Sequence, residues 1–438
     1  MAALTAKLKL FGFSDRLIRR NPLFYAHAAR VLRDFNTLDP EGQRTWRHAR
    51  LRQIIAAARR SEYGKRHGAG EFIGDWPILE KDPIRAEPGA FRTTECWFTV
   101  SAATSGTTGT PLRLRRSLLS VAYEQALFDQ LLASGGVDPL NCRTAVLRGD
   151  DVKNLCDRTP PFWRLANAGK RLIFSSNHLD PASVGHFVEA LRKYSPDVVF
   201  AYPTVLESLC SLMLKQGLRL KVPLTVCGSE VLTKAASGMA REALGTRVIG
   251  HYGQAERVAW AEGDPENGYR FAPTYSINEL RFVTSADEAD VYEIIGTGLW
   301  NRAMPLVRYS TGDQIRVRKG SSPTAVAEGR ETFLGIIGRS GDYLISPSGA
   351  RLLGIDHIPR NVPHIVRAQF IQESTQSVTL LVIPAPGFNE ECRRLLLQHA
   401  SLKLPPSMNI RIETTTQLVR NRSGKTPLIV RNIVDRAP

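Results

Sequence analysis

Cysteine is scarce and unpatterned in this sequence: six residues in 438, at positions 96, 142, 156, 210, 227 and 392. There is no CxxC pair and no histidine at zinc-ligand spacing from a cysteine pair, which excludes a zinc ribbon or knuckle. Scattered thiols of this kind are expected to be reduced. No run of about eighteen apolar residues occurs, so no transmembrane helix is expected. Lys7, Lys9, Asp15 and Arg16 interrupt the first thirty residues, which leaves no apolar core for a signal peptide. A cytoplasmic location is the resulting expectation. The chain also lacks an internal repeat, a low-complexity tract and the GxxxxGK[ST] phosphate loop. It has no helix-turn-helix, RNA-recognition or zinc-finger pattern, so no nucleic-acid partner is expected.

What is present reads as globular: 43% hydrophobic and 23% charged residues, in a length that suits two domains or a large and a small one. Lys plus Arg exceed Asp plus Glu by 58 − 42 = 16, an excess suited to anionic ligands without choosing among them. Much of it lies near the start, at Arg16, Arg19, Arg20, Arg30, Arg33, Arg44, Arg47, Arg50, Arg52, Arg59 and Arg60. These are expected to form the solvated faces of amphipathic helices.

Residues 1–66 have helical apolar spacing, seen in Leu51, Ile54, Ile55 and Ala58, and a loop-rich stretch through Trp76-Pro77-Ile78-Leu79 follows. Strands are expected at 144–147, 172–174, 198–200, 224–227 and 248–249, with helices at 181–193 and 204–215. Such alternation predicts an α/β fold with a mainly parallel sheet. Residues 276–317 read as strand and turn. A smaller α+β unit is expected after about Gly338, with a strand pair at 370–373 and 378–383, a helix at 389–402 and a strand at 410–413. The expected division is a large domain over 1–341, with 1–97 as a helical and loop lead-in, and a small mobile domain over 342–438.

Five segments carry candidate chemistry. Thr104-Ser105-Gly106-Thr107-Thr108-Gly109-Thr110-Pro111 follows a β-like run, Trp97 to Val100, and offers hydroxyls and turned backbone amides to an anion. Tyr252-Gly253-Gln254-Ala255-Glu256 puts a carboxylate suited to Mg²⁺ and an aromatic ring at a strand end. Arg308-Tyr309-Ser310-Thr311-Gly312-Asp313 places an Asp after a glycine turn, within reach of two vicinal hydroxyls. Gly338-Arg339-Ser340-Gly341-Asp342 has the glycines of a hinge, and Ser423-Gly424-Lys425 offers a cation to developing phosphate charge. Taken singly, each has a plain alternative: a flexible turn, an exposed glutamate, a hairpin Asp, a β-turn or a surface lysine.

In this order and spacing the five segments resemble the adenylate-forming superfamily of acyl-CoA synthetases, adenylation domains and luciferases, from about residue 98 to residue 430. Trp76-Pro77-Ile78-Leu79-Glu80-Lys81, Ala201-Tyr202-Pro203-Thr204, Cys227-Gly228-Ser229-Glu230 and Met304-Pro305-Leu306-Val307-Arg308-Tyr309 are similar to the phenylacetate–CoA ligase, CapK and coenzyme F390 synthetase branch. The resemblance implies a large α/β domain followed by a small α+β domain. It also implies ATP-dependent activation of a carboxylic acid, aromatic or compact and apolar, to an acyl-adenylate with release of pyrophosphate. Coenzyme A would then take the acyl group. The alternatives are transfer to an amine, hydroxyl or carrier protein, and a nucleotide-binding scaffold or sensor without ligase activity.

Residue by residue, the resemblance implies that Thr104, Ser105, Gly106, Thr107, Thr108 and Gly109 cradle the β- and γ-phosphates, with Thr108 catalytic. Glu256 would hold Mg²⁺. Tyr252 and Gly253 would pack beside adenine, with Gly228, Ser229 and Glu230 lining the same pocket. Asp313 and Arg339 would bind ribose, Asp342 would be the hinge, and Lys425 would contact the reacting carboxylate and α-phosphate. Tyr202, Gly228, His251 and Gly253 are assigned to the acyl pocket. A small-molecule acid is the implied substrate, with a carrier protein or a second copy as further partners. Two positions depart from the family: Leu112, where relatives often have lysine, and Ala255, where a Ser or Thr usually precedes the Glu. Losing that hydroxyl removes a donor worth about 1–3 kcal/mol at a reacting phosphate.

Overall fold

The computed structural model describes residues 18–67, 70–94, 98–103, 112–150, 152–154, 157–285, 289–337, 343–352, 355, 358–359, 362–384, 387–419 and 427–433. Segment 104–111, expected to bind phosphate, segment 338–342, expected to be the hinge, and Lys425 lie outside them. So the expectations for Thr104, Ser105, Gly106, Thr107, Thr108, Gly109, Arg339, Asp342 and Lys425 rest on sequence.

The chain opens with helices Pro22–Thr37 and Pro40–Arg60. Each starts on a capping side chain, Asn21 or Asp39, followed by a proline at the first helical position. A hairpin follows, β1 (Thr99–Ala103) with β2 (Arg113–Ser117), then the helix Leu118–Ser134, capped by Ser117. Next come β3 (Thr144–Leu147), β4 (Trp163–Ala166), β5 (Arg171–Phe174), helix Val184–Tyr194, β6 (Val198–Ala201), helix Pro203–Lys215 and β7 (Leu224–Gly228). Helix Lys234–Leu244 leads to β8 (Arg247–Gly253), β9 (Trp260–Asp264) and β10 (Gly268–Phe271). The run β11 (Ser276–Ser285), β12 (Ala289–Gly298), β13 (Tyr309–Arg318) and β14 (Gly335–Ile337) is an antiparallel sheet in that order. The remaining strands are β15 (Leu344–Ile345), β16 (Arg351–Leu352), β17 (Ile365–Ser374), β18 (Ser377–Pro384), β19 (Asn409–Thr414) and β20 (Ile429–Arg431), with helix Glu390–Ser401 capped by Asn389.

Two compact units share the chain. The first comprises 1–104, 112–141 and 249–338. Its β11–β14 sheet encloses Ile294, Ile315, Val317 and Phe333, and a second cluster forms around Leu79, Ile84, Phe91, Leu306 and Tyr309. β9 pairs antiparallel with both β8 and β10. The second unit comprises 105–111, 142–248 and 339–438. Its strands run β7-β6-β3-β5-β4, parallel except for the β4–β5 pair. β6 is buried along its whole length, as expected for an inner parallel strand coated by helices. Residues 344–429 of this unit also build a core of their own, with Leu344, Phe370, Leu380, Val382 and Leu396 at its centre. There β18 is antiparallel to β17 and parallel to β19. The architecture is thus α/β, with a small α+β region toward the C-terminus.

The basic start of the chain corrects one expectation. Arg20 is not a solvated surface charge: it makes a two-pronged contact, Nε at 2.9 Å and Nη2 at 2.8 Å, with the buried Asp129. Tyr25 donates to the same carboxylate at 2.6 Å. Arg47 is itself buried, and the Arg50 guanidinium lies 4.1 Å from the Trp300 ring while donating to the Leu299 carbonyl. A helical pattern shows which face a residue is on. It cannot show that long cationic stems on that face fold inward over aromatic and acidic partners.

Candidate active site

In the first unit the candidate residues gather at two places, the end of β8 and the start of β13. The Tyr252 hydroxyl donates to Asp313 Oδ2 at 2.9 Å and accepts from Gln254 Nε2 at 2.7 Å. Gln254 is fixed in turn, because its Oε1 accepts the Ala259 N–H at 3.2 Å. Burial and the adjacent Asp313 carboxylate both push the Tyr252 phenol well up, so it remains a donor to that carboxylate. Asp313 is reached through Gly312, whose φ of +72° favours glycine, and its own N–H is held by Thr311 Oγ1 at 3.0 Å. Tyr252 and Asp313 are 61 residues apart in sequence.

Glu256 follows on the turn after β8 and is buried. Its Oε1 accepts from the Tyr309 hydroxyl at 2.6 Å. Tyr309 is fully buried, and burial together with Glu256 raises its phenol far above the usual range. Arg116, on β2, donates to the carbonyl of Ala255, from Nε at 3.2 Å. The turn between Tyr252 and Glu256 is therefore held from both sides, with no help from a hydroxyl at position 255. Tyr309, Gln254 and Arg116 were missed as contributors. Tyr309 lay inside a quoted motif, but nothing in the local pattern pointed from it to Glu256.

Two of the four segments quoted for the narrower resemblance, Trp76–Lys81 and Met304–Tyr309, also meet. Leu79 bridges to Tyr309 in parallel, through Leu79 N to Arg308 O and Ser310 N to Leu79 O, both 2.9 Å. Arg308, at φ +50°, grips Glu279 with Nε and Nη2 at 3.0 and 2.8 Å and reaches the Trp76 carbonyl with Nη1 at 2.8 Å. A stretch near residue 78 thus anchors the strand that carries Asp313.

His251, assigned to the acyl pocket, stands in an aromatic cluster. Its ring centroid is 4.0 Å from that of Trp260 and 5.6 Å from that of Phe128, with Phe128 and Trp260 meeting edge-on. Gly253 is confined by it, since a Cβ there would meet His251 Nε2 at 3.1 Å.

Tyr202, Gly228, Ser229 and Glu230 belong to the second unit. All lie at or just past the carboxyl ends of β6 and β7, where ligands bind in open α/β sheets. Glu230 has a structural task as well: its Oε2 accepts from Thr204 N at 3.0 Å and Thr204 Oγ1 at 2.8 Å, closing the N-terminus of helix Pro203–Lys215. Burial pushes the Glu230 carboxyl up, and the Thr204 bonds oppose that shift. Ser229 holds a φ of +70°. Burial pushes the neighbouring Cys227 thiol up to about 12, so Cys227 is no ready nucleophile. Arg351, which follows the Ser348-Gly349 turn, pairs with Glu207 at 3.3 Å on the same helix.

No group of three metal-capable side chains occurs among the described residues. Magnesium needs no such group: it takes one or two carboxylates and fills its shell with water and phosphate oxygens. Glu256, held by a single hydroxyl contact, fits that requirement. No described helix is long and apolar enough to cross a membrane.

Residues 344–432 match the CapK C-terminal domain. The chain is 21% identical over 367 residues to Protein CapK of Staphylococcus aureus, covering 82% of this chain and 80% of CapK. A phenylacetate-coenzyme A ligase of Pseudomonas putida is 26% identical over 168 residues; the match takes in 36% of this chain and 37% of that ligase, little more than a third of either. Among solved structures, 2-hydroxyisobutyryl-CoA ligase in complex with 2-HIB-AMP and CoA superposes with a TM-score of 0.51 at 15% identity, over 90% of this chain and 91% of that one. The solved ligase shows a likeness of fold, and the sequence likenesses are to CapK and, over a shorter stretch, to a phenylacetate-coenzyme A ligase. Within the adenylate-forming superfamily, the likeness is to the branch of CapK and phenylacetate–CoA ligase.

Proposed function

We propose that this chain activates a carboxylic acid with ATP, forming an acyl-adenylate and pyrophosphate, and then passes the acyl group to coenzyme A. One observation carries the reading most directly. The carboxylates of Asp313 and Glu256, named in advance for ribose and metal, are each held by one tyrosine hydroxyl, at 2.9 and 2.6 Å. A merely decorative pair of acids would be solvated; these are oriented by partners distant in sequence. The match to a ligase solved with an acyl-AMP and CoA supports the same reading at the level of fold.

The phosphoryl step demands positioning and charge neutralisation more than covalent help. Asp313 takes the ribose hydroxyls, oriented by Tyr252 and by the Gly312 turn. Glu256 holds Mg²⁺, which supplies positive charge to the phosphate oxygens. Thr104 to Gly109 are assigned to the phosphates, with Thr108 catalytic. Tyr252 and Gly253 are assigned to adenine, as are Gly228, Ser229 and Glu230, and Arg339 joins Asp313 in the ribose assignment. The aromatic cluster around His251 and Trp260, beside Gly253, suits an aromatic or compact apolar acid, and Tyr202 and Gly228 carry the same acyl assignment. Residues 342–438 form a mobile domain turning at Asp342, and bring Lys425 to the α-phosphate for adenylation only.

The test is pyrophosphate release over a broad panel of aryl, aliphatic and amino acids, with and without coenzyme A. Release dependent on ATP, Mg²⁺ and one class of acid is expected. Tight ATP binding with no acid-dependent release would instead make the chain a nucleotide-binding scaffold.

A further inference from the structure

Arg148 is the first residue past β3, and the sheet register shows what surrounds it. Leu147, Ala201 and Cys227 are partners across β3, β6 and β7, and Val146, Phe200 and Val226 form the row before them. Side chains alternate along strands, so Arg148, Phe200 and Tyr202 rise from one face, opposite to Leu147, Ala201 and Cys227. The Tyr202 N–H donates to the Leu147 carbonyl at 3.0 Å, which continues the β3–β6 pairing to the level of Arg148. The Arg148 guanidinium carbon lies 5.6 Å from the centroid of the Phe200 ring.

This guanidinium is expensive where it sits. Its Nε is buried without a hydrogen-bond partner, and no carboxylate forms an ion pair with it among the described residues. Asp150 acts on it only at longer electrostatic range, while burial weakens its hold on its proton. A half-buried cation whose Nε is shut off from water is normally paired. Arg20 meets that need with Asp129, and Arg351 pairs with Glu207, although Arg351 Nε, like that of the buried Arg47, also has no hydrogen-bond partner. What sets Arg148 apart is its place at the carboxyl end of a parallel strand, in the same row as Tyr202 and Gly228, where open α/β sheets take their ligands.

We propose that Arg148 docks an anionic oxygen group on the acyl substrate, second to the carboxylate that is activated, so that the preferred acid is an aryl acid carrying two acidic groups. The guanidinium presents a planar fork of donors that fits a carboxylate, and the rings of Phe200 and Tyr202 suit the flat body that bears it. The proposal rests on the adenylation reading for the fate of the other carboxylate, but its binding half stands apart from catalysis.

The experiment pairs acids of one shape and different charge: benzoate against phthalate, isophthalate and terephthalate. Pyrophosphate release gives kcat/KM for each, and titration calorimetry without ATP gives binding. A diacid preference of tenfold or more is expected for the wild-type protein. Arg148→Gln is expected to collapse the diacid-to-monoacid ratio by about 10- to 100-fold, the range of a lost charge-assisted contact. Arg148→Lys, which keeps charge but not the fork, should retain part of it. Should Arg148→Gln fail to fold, the wild-type ratio and Arg148→Lys decide the matter. A wild-type preference for monoacids, or equal damage by Arg148→Gln to both acid types, overturns the proposal and leaves adenylation standing. Weakened ATP affinity with an unchanged acid ratio also overturns it, and assigns the anion to the nucleotide. If no acid is turned over, the adenylation reading fails. Calorimetry then judges the dock alone: diacid binding lost in Arg148→Gln supports it, and no diacid binding refutes it.

Discussion

Replacing Asp313 by Asn tests the nucleotide site with little disturbance to its surroundings. The carboxylate accepts from Tyr252 through Oδ2 at 2.9 Å. If it also accepts two ribose hydroxyls, the charge strengthens both contacts, each worth about 1.5–3 kcal/mol to stability of the complex. An amide keeps one neutral acceptor oxygen, so the expected loss is about 2–3 kcal/mol, or about 30- to 150-fold in Kd for ATP. The amide oxygen can still receive the Tyr252 hydroxyl, so Tm should move little. Asp313→Ala differs in the expected way: it strands a buried phenol and should cost about 1–3 kcal/mol of folding stability as well. Tyr252→Phe keeps the ring and the Asp313 charge, and should weaken ATP binding less than Asp313→Asn does. The assay is titration calorimetry with ATP, alongside thermal unfolding. Unchanged ATP affinity in Asp313→Asn, with a lowered Tm in Asp313→Ala, would show that Asp313 serves only as the acceptor for Tyr252.

Further outcomes can be checked on the same preparation. Asp129→Ala removes the shared acceptor of Arg20, Tyr25 and Gln125 and leaves a largely buried cation, so a loss of about 3–5 kcal/mol is expected in denaturant unfolding. His178 is fully buried with Ser175 Oγ at 2.7 Å from Nδ1, and burial depresses its proton affinity below the usual 6.5. The unfolded chain therefore binds the extra proton first, and stability should fall as pH drops below 6.5. His178→Gln should flatten that slope in Tm against pH, and an unaltered slope would remove His178 from the account. Lys425→Ala should abolish adenylation while sparing acyl transfer from a synthetic acyl-adenylate. Equal damage to both half-reactions would point to folding instead.

Much of the architecture was legible because its signals are local. The strands at 144–147, 198–200 and 224–227 were expected from short apolar runs and lie within β3, β6 and β7. The strand pair expected at 370–373 and 378–383 and the helix expected at 389–402 correspond to β17, β18 and helix Glu390–Ser401. The edge strand β4 was not legible: its residues Trp163 to Ala166 alternate poorly and are mostly exposed, so no apolar run marks them. β9 and β10 were missed for a related reason, since glycines at 263 and 268 interrupt the pattern where the chain turns.

The candidate site shows a different limit. Asp313 and Glu256 could be named from motifs, because a turn glycine or a strand end sets their reach locally. Their partners could not. Tyr252 reaches Asp313 across 61 residues, Tyr309 reaches Glu256 across 53, and the Trp76 carbonyl is held by Arg308 from 232 residues away. Such contacts are decided when packing brings elements together, and no window of sequence contains both ends. Arg148 is the extreme case, since it belongs to no motif and is one of 58 basic residues in the chain. The register of β3, β6 and β7 places its guanidinium over the Phe200 ring and in the row of Tyr202 at a strand end. A residue that selects a substrate need not resemble its counterpart in a relative, because it answers to the ligand and not to the chemistry the relatives share. That is why the reaction class could be inferred from motifs, while the kind of acid has to be argued from an unmet charge.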